Sequence, residues 1–265
     1  FFQPAEEGGG GAIRMIDQGL FDKYPVDSVY AIHNWPYAPH GMVGVKGGPV
    51  MASADEVRIS ITGKGGHAAM PHETIDPVVI ASEIILSLQT IVGRTVNPVD
   101  SAVISITNFN AGTGASNVIP GEAKLIGTVR TFDNKVRATI ERRIGEIVEG
   151  IAHAHGAKGV IEYERGYEPT VNDTVQAALC ADVAKQLFGS DMVLTDFPPS
   201  MGAEDFGAML QKKPGCYVIF GQGDPQNPDC SHNFGLHHPK YDFNDALIPD
   251  VIRYFEALTK RVMPL

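Results

Sequence analysis

Residues 57–62 read VRISIT, with apolar and polar side chains in strict alternation. A period of two predicts a β-strand with one face in a core and the other face outside it. Asp76-Pro77 follows, and the pair predicts the start of a helix that runs through Val92. Asp is a favoured N-cap residue, and proline is tolerated in the first helical turn.

Four more elements are predicted downstream of this helix. They are strands over Ala102–Phe109 and Ala123–Thr131, a helix that Asp133-Asn134 begins and His153 ends, and a strand over Val160–Glu164. The order β-α-β-β-α-β is that of a ferredoxin-like α+β sandwich. We therefore expect residues 54–165 to form a discrete domain inserted into the chain.

The sequence on both sides of residues 54–165 has the pattern of helices and strands that is typical of an α/β domain. Predicted elements are a helix over Gly11–Gly19, a strand over Asp27–His33, a helix from Asp173 to Gly189, a helix over Ala203–Gln211, a strand over Cys216–Gly221 and a closing helix over Ala246–Val262. Residues 1–53 and 166–265 are therefore expected to build one discontinuous α/β domain.

Composition excludes several classes of function. The net charge of −10 over 265 residues argues against nucleic acid or an anionic membrane surface as a partner. No apolar run approaches the ~20 residues of a membrane span. Cys180, Cys216 and Cys230 are far apart and outside any CxxC pair, which argues against a disulfide framework or a cysteine zinc site. Reduced thiols and a cytoplasmic location are expected.

An acidic doublet stands near the start of the chain. Glu6-Glu7 is preceded by Gln3-Pro4-Ala5 and followed by four glycines. One carboxylate could bind a metal while the other transfers a proton, and the glycines suggest that backbone passes close to another group. The alternative is a solvated acidic helix start, because Asp and Glu favour the first turn.

Three histidine motifs are candidates for the same chemistry. His33 closes a predicted strand, and sites in open α/β sheets gather at the carboxyl ends of strands. His67 lies in the glycine-rich stretch 63–72, and His237-His238 precedes a proline. Neutral imidazole is the commonest metal ligand. The alternatives are a core or loop histidine at 33 and a glycine-rich hairpin with incidental histidines around 67.

Seven motifs, taken in their order along the chain, resemble those of a known protein family. They are QPAEE (3–7), IHNWP (32–36), GKGGHAAMPH (63–72), GASNVIPGEA (114–123), GTVRTFD (127–133), MGAEDFG (201–207) and LHHPKYDFND (236–245). Together they resemble the M20 family of metallopeptidases and amidohydrolases, in particular its aminoacylase and hippurate-hydrolase-like branch. The resemblance implies a metal-dependent amidohydrolase that cleaves N-acyl amino acids, such as N-acetyl or N-benzoyl derivatives, with two divalent ions (Zn, Mn, Co or Ni).

The resemblance also implies a role for each residue of a catalytic α/β domain. Glu6 matches the general base, and Glu7, His33 and His237 match metal ligands. His237 is preferred to His238 because the family pattern is Leu-His-x-Pro. A carboxylate that is not used as a ligand can take a proton from water whose pKa a metal has lowered to roughly 7.

In the inserted domain, the resemblance implies a lid that also forms a homodimer. His67 matches a residue that stabilises the oxyanion of the tetrahedral intermediate, in related dimers within the partner's site. Asn117 and Arg130 match positions that contact substrate. We expect Arg130 on the face opposite the core residues of its strand, where it could clamp an α-carboxylate. The alternative is a surface residue of the sheet.

One departure from the family pattern limits this expectation. The upstream part of the family's catalytic domain supplies a bridging ligand and a further histidine, from a motif like His-x-Cys-Gly-His-Asp, and that motif does not occur in the 265 residues. The catalytic domain is thus expected to lack its N-terminal part, and this fragment to bind metal poorly and to be inactive. Two other hypotheses are a dipeptidase or carboxypeptidase of the same family and a non-catalytic dimerisation module.

Overall fold

The computed structural model describes residues 1–263, which form two compact units. The first unit consists of Phe1–Met51, Thr170–Ser200 and the chain from Asp205 onward. The second unit consists of Ala52–Pro169 together with the short segment Met201–Glu204.

Each unit mixes helices and strands. The first contains α1 (Gly11–Asp17), α2 (Leu20–Lys23), β1 (Val29–Pro39), β2 (Val43–Gly44), β3 (Gly48–Met51), β10 (Thr170–Asn172), α5 (Thr174–Phe188), β11 (Val193–Leu194), α6 (Gly207–Leu210), β12 (Gly215–Gly223) and α7 (Leu247–Val262). The second contains β4 (Ala54–Thr62), β5 (Gly66–His67), α3 (Pro77–Arg94), β6 (Ala102–Ala111), β7 (Val118–Ile119), β8 (Glu122–Thr131), α4 (Asn134–Ala154) and β9 (Lys158–Tyr167).

A four-stranded antiparallel sheet organises the second unit, in the order β6-β8-β4-β9. The predicted alternation in β4 is confirmed, because Val57, Ile59 and Ile61 are buried while Arg58 on the other face is exposed. The buried side chains pack with those of α3 and α4 in one apolar cluster. Both helices therefore cover the same face of the sheet and leave its other face open.

Local capping explains where three long helices begin. Asp76, Asp133 and Asp173 each accept a hydrogen bond from a backbone N–H in the first turn of α3, α4 and α5, as the sequence predicts. By length and composition, α3 is the one helix among residues 1–263 that could cross a membrane. Its apolar stripe, however, is buried in the core of the second unit.

A mixed sheet organises the first unit, in the order β1-β12-β2-β11. β1 runs parallel to β12 and places His33 opposite Ile219. Every residue of β12 is buried because apolar clusters cover it on both faces. Cys216, Val218 and Phe220 pack with α5 and α7, whereas Tyr217 and Ile219 pack with α1 and α6.

Two predicted boundaries differ from the structure by at least four residues. The strand expected to end at His33 continues to Pro39, because Asn34 and Trp35 keep pairing with β12. Pro36 is tolerated because β1 pairs only with β12 in the described part of the chain, and proline is accepted on edge strands. The helix expected over Ala203–Gln211 is reduced to Gly207–Leu210, because the Asp205 carboxylate bonds to residues near the start of the chain.

Candidate functional site

The seven predicted site residues are divided between the two units. Glu6, Glu7, His33 and His237 belong to the first unit, and His67, Asn117 and Arg130 belong to the second.

The acidic doublet lies in a tight loop between Gln3 and α1. Glu6 is half-buried and has contacts within the structure, whereas Glu7 is exposed. The loop folds back on itself: the Gly11 N–H donates to the Ala5 carbonyl (3.4 Å). A Cβ atom at Gly11 would lie 1.7 Å from the Pro4 carbonyl oxygen, which confirms a close backbone approach at this glycine.

His33 lies in the middle of β1, and its ring orientation is set by its neighbours. Nδ1 lies 2.6 Å from the Asn34 carbonyl oxygen, which can only accept, so Nδ1 must carry a proton. In neutral imidazole this arrangement leaves a lone pair on Nε2. The rings of Trp35 and Tyr217 pack against the imidazole at 6.4 and 6.2 Å. His33 can therefore act as a ligand through Nε2.

The two adjacent histidines near residue 237 have different environments. His238 stacks on Phe234 at 4.5 Å, and its Nδ1 accepts a hydrogen bond from the Lys240 backbone N–H at 3.0 Å. His237 is exposed, has a left-handed backbone (φ 65°), and its ring makes no hydrogen bond within residues 1–263. Left-handed conformations are costly for residues other than glycine and cluster at functional sites. The His237 imidazole thus has both nitrogens available.

A buried glutamine that was not predicted from the sequence connects two parts of the site. It links β1, which carries His33, to residues 231–245, which carry His237. The Gln222 Oε1 accepts from the Asn34 Nδ2 at 2.8 Å, and its Nε2 donates to the carbonyls of His232 (3.1 Å) and Asp242 (3.2 Å). Asn34 also donates to the Tyr241 hydroxyl at 2.6 Å. The one sequence signal was a polar residue directly after the apolar run of β12.

His67 and Asn117 are brought together in the second unit. β5 pairs with β7, and the Ala68 N–H donates to the Asn117 carbonyl at 2.9 Å. The His67 Nδ1 accepts from the Ala69 backbone N–H at 3.1 Å, so in neutral imidazole the proton resides on Nε2. The exposed His67 therefore presents an N–H donor, the opposite of the arrangement at His33.

Arg130 lies on the open face of the second unit's sheet, opposite the buried Leu125 and Val129. Its Nε donates to the Thr128 hydroxyl at 3.2 Å, and within the described residues both terminal amino groups stay available. Burial lowers the pKa of the guanidinium, and the nearby Asp55 charge partly offsets this. Arg130 and Thr128 border a depression of about 490 Å³ on this face. An anionic group is the natural ligand of such a guanidinium.

The donor types fit a divalent metal, but the described residues do not assemble a ligand set. Carboxylate and imidazole are ligands of Zn and related ions, and His33 presents a free lone pair. Among residues 1–263, however, no group of three or more His, Cys, Asp or Glu side chains could hold a metal ion. Glu7, His33 and His237 are thus individual donors in this structure.

Comparisons with known proteins agree with each other. The model of "Peptidase family M20/M25/M40" matches residues 1–261. N-acetyl-L-cysteine deacetylase from Bacillus subtilis (strain 168) is 37% identical over 99% of this chain and 60% of its own length. Hippurate hydrolase from Campylobacter jejuni is also 37% identical, over 99% of this chain and 66% of its own length.

A solved structure is similar as well. A dinuclear metal-binding peptidase of the M20 family from Bacillus subtilis superposes with a TM-score of 0.79 at 32% identity, over 99% of this chain and 64% of that one. The chain thus spans about 60–66% of the length of these three proteins.

Proposed function

The chain belongs to peptidase family M20/M25/M40, and from this membership we propose that the protein hydrolyses the amide bond of N-acyl amino acids. The similar proteins include an N-acetyl-L-cysteine deacetylase and a hippurate hydrolase, which supports small acyl groups on amino acids as the substrate class. The similar dinuclear metal-binding peptidase supports a site for two metal ions, and we propose Zn, Mn, Co or Ni as the divalent cofactors.

The opposite imidazole arrangements of His33 and His67 are the observation that most supports this chemistry. His33 presents a lone pair, as a metal ligand must, while His67 presents an N–H, as an oxyanion donor must. Had the arrangements been reversed, neither residue could fill its role in the neutral state. We assign metal ligation to His33 and oxyanion stabilisation to His67.

The remaining residues complete the reaction. Glu6 takes a proton from the attacking water and later donates it to the leaving amine. Arg130 binds the α-carboxylate of the amino acid through its terminal amino groups, and Asn117 contacts the substrate near His67.

Glu7, His33 and His237 are the proposed metal donors. Divalent ions would supply Lewis-acid activation of the carbonyl and a lower pKa for water. His237 is supported over His238 because the Nδ1 of His238 already accepts a hydrogen bond and its ring is stacked on Phe234.

We further propose that residues 54–165 act as a ferredoxin-like lid and dimerisation domain, and residues 1–53 and 166–265 as part of a catalytic domain. The antiparallel sheet with two helices on one face supports the first assignment. A homodimer and a cytoplasmic location belong to the same proposal. Sedimentation that finds only a monomer would contradict the dimer.

The decisive experiment uses the protein expressed from its complete open reading frame and loaded with Mn²⁺, Zn²⁺, Co²⁺ or Ni²⁺. N-acetyl and N-benzoyl amino acids and dipeptides are tested in parallel by release of free amine. We expect the N-acyl amino acids to be cleaved and Glu6→Gln to abolish cleavage. Cleavage of dipeptides but not of N-acyl amino acids would show that dipeptides are the substrates. An active Glu6→Gln variant would show that Glu6 is not the base.

Metal binding by the 265-residue chain alone separates the enzyme from the dimerisation module. Since this chain brings no group of three donors together within its described residues, weak or absent metal binding is expected. About two equivalents of tightly bound metal, measured by elemental analysis after dialysis, would contradict that expectation and would exclude a purely non-catalytic dimerisation module.

A further inference from the structure

A single buried carboxylate holds both ends of the acidic loop. Asp205 is 1% exposed and lies in the MGAEDFG stretch, about two hundred residues after the loop. The Gln3 side-chain Nε2 donates to both of its oxygens at 2.6 Å. The Ala12 backbone N–H donates to Oδ2 at 3.0 Å. Gln3 precedes the loop and Ala12 follows it, so the two ends meet at one side chain.

The loop between these ends adopts a conformation that costs free energy. Ala5 has φ 57° and Gly10 has φ 58°, so two of its residues are left-handed, and one of them carries a Cβ atom. At Gly11 there is no room for any side chain because the Pro4 carbonyl lies against it. Such backbone persists only when surrounding contacts determine it. Asp205 supplies contacts of this kind at both ends of the loop.

Charge and geometry explain why an aspartate is suited to this task. A carboxylate has two acceptor oxygens, and here they meet one amide group from Gln3 and one backbone N–H from Ala12. Asn at position 205 would offer only one acceptor oxygen, and its NH₂ group would face the NH₂ group of Gln3. Glu at position 3 would place two carboxylates in contact, which is strongly unfavourable away from water.

We propose that Asp205 is a positioning residue that, with Gln3, closes the loop and thereby aims Glu6 and Glu7. The inference rests on the proposed function, in which Glu6 is the base and Glu7 a metal donor. Asp205 itself touches neither substrate nor metal in this scheme. A shift of about 1 Å in a catalytic group can cost about a hundredfold in rate. Residues that orient metal ligands typically contribute about 10–100-fold to activity or metal affinity.

Variants of the pair test the proposal on the metal-loaded protein from its complete open reading frame. We expect Asp205→Asn and Gln3→Glu each to lower kcat about 10–100-fold with KM nearly unchanged, because the base acts in the chemical step. The double variant Gln3→Glu/Asp205→Asn exchanges donor and acceptor, so it should recover at least part of the lost kcat. Gln3→Ala serves as a milder variant if Asp205→Asn fails to fold.

Hydrogen exchange provides a readout that requires no activity. Amide exchange over residues 3–12 should become at least about tenfold faster in Gln3→Ala and Asp205→Asn. Asp173→Ala is the matched control, since it removes a helix-capping aspartate from α5 and lowers stability without contacting the loop. Its exchange over residues 3–12 should equal that of the wild type.

The outcomes separate failure of the inference from failure of the proposed function. If the wild type hydrolyses its substrate but single variants stay within twofold of its kcat, or the double variant is as slow as the product of the singles, the inference is wrong. If the wild type hydrolyses none of the substrates, the proposed function fails. In that case, unchanged exchange over residues 3–12 would overturn the loop-closing role of Asp205, and faster exchange would support it.

Discussion

Replacing Gln222 by Leu should loosen the segment that carries His237 while leaving the strands in place. Gln222 is fully buried at the end of β12. Its side chain accepts one hydrogen bond from Asn34 and donates two, to the carbonyls of His232 and Asp242. Leu has a similar size but no polar atoms, so packing is retained and three hydrogen bonds are lost.

The expected loss of local stability follows from those three hydrogen bonds. A net contribution of about 0.5–1.5 kcal/mol for each gives a total of about 1.5–4.5 kcal/mol. The lower part of this range is expected for two reasons. Asn34 keeps its bond to the Tyr241 hydroxyl, and Asp242 lies in an exposed position where water can solvate its carbonyl. We therefore expect about 2 kcal/mol, which corresponds to roughly thirtyfold faster local opening at 1.4 kcal/mol per factor of ten.

Hydrogen exchange and urea denaturation together measure this effect. Exchange over residues 231–245 should become roughly thirtyfold faster, and β12 should keep its protection. Gln226→Leu is the matched control, because it makes the same chemical change at an exposed position a few residues later. Equal exchange in the two variants over residues 231–245 would refute the view that Gln222 holds this segment.

Three further predictions follow from single contacts. Gly11→Ala should lower kcat about a hundredfold, because its Cβ would lie 1.7 Å from a backbone carbonyl, whereas Gly8→Ala in the same loop meets no atom within 4 Å and should retain activity. Arg137→Met should lower the free energy of unfolding by about 3–5 kcal/mol in urea denaturation, since it leaves the buried Asp55 carboxylate without its cation. Burial and the hydrogen bond to Asp55 raise the pKa of Tyr163 above its ordinary value near 10, so the folded protein keeps a proton that the unfolded chain loses. Stability should therefore decline as pH rises above about 10, and Tyr163→Phe should reduce that decline in thermal melts.

Elements with local causes were predictable from the sequence. The alternation of β4 follows from a sheet with helices on one face, and the aspartate caps of α3, α4 and α5 act on N–H groups two or three residues away. The end of β1 was not predictable in this way. Asn34 and Trp35 lie beyond the predicted end of the strand at His33, yet they pair with β12, whose residues are far along the chain. Contacts of that range leave no local pattern.

In the candidate site, too, residue types could be predicted from the sequence, whereas features that depend on other parts of the structure could not. Residue types at 33, 67 and 237 indicated imidazole chemistry, but the nitrogen that carries the proton depends on the backbone group beside each ring. The MGAEDFG stretch was recognisable as a motif, while the task of its aspartate was not, because its partners Gln3 and Ala12 lie 202 and 193 residues away. Two motifs about two hundred residues apart therefore meet in one hydrogen-bonded loop closure. If that closure aims Glu6, selection on QPAEE and on MGAEDFG acts on a single structure, and a change in either motif should be compensated in the other.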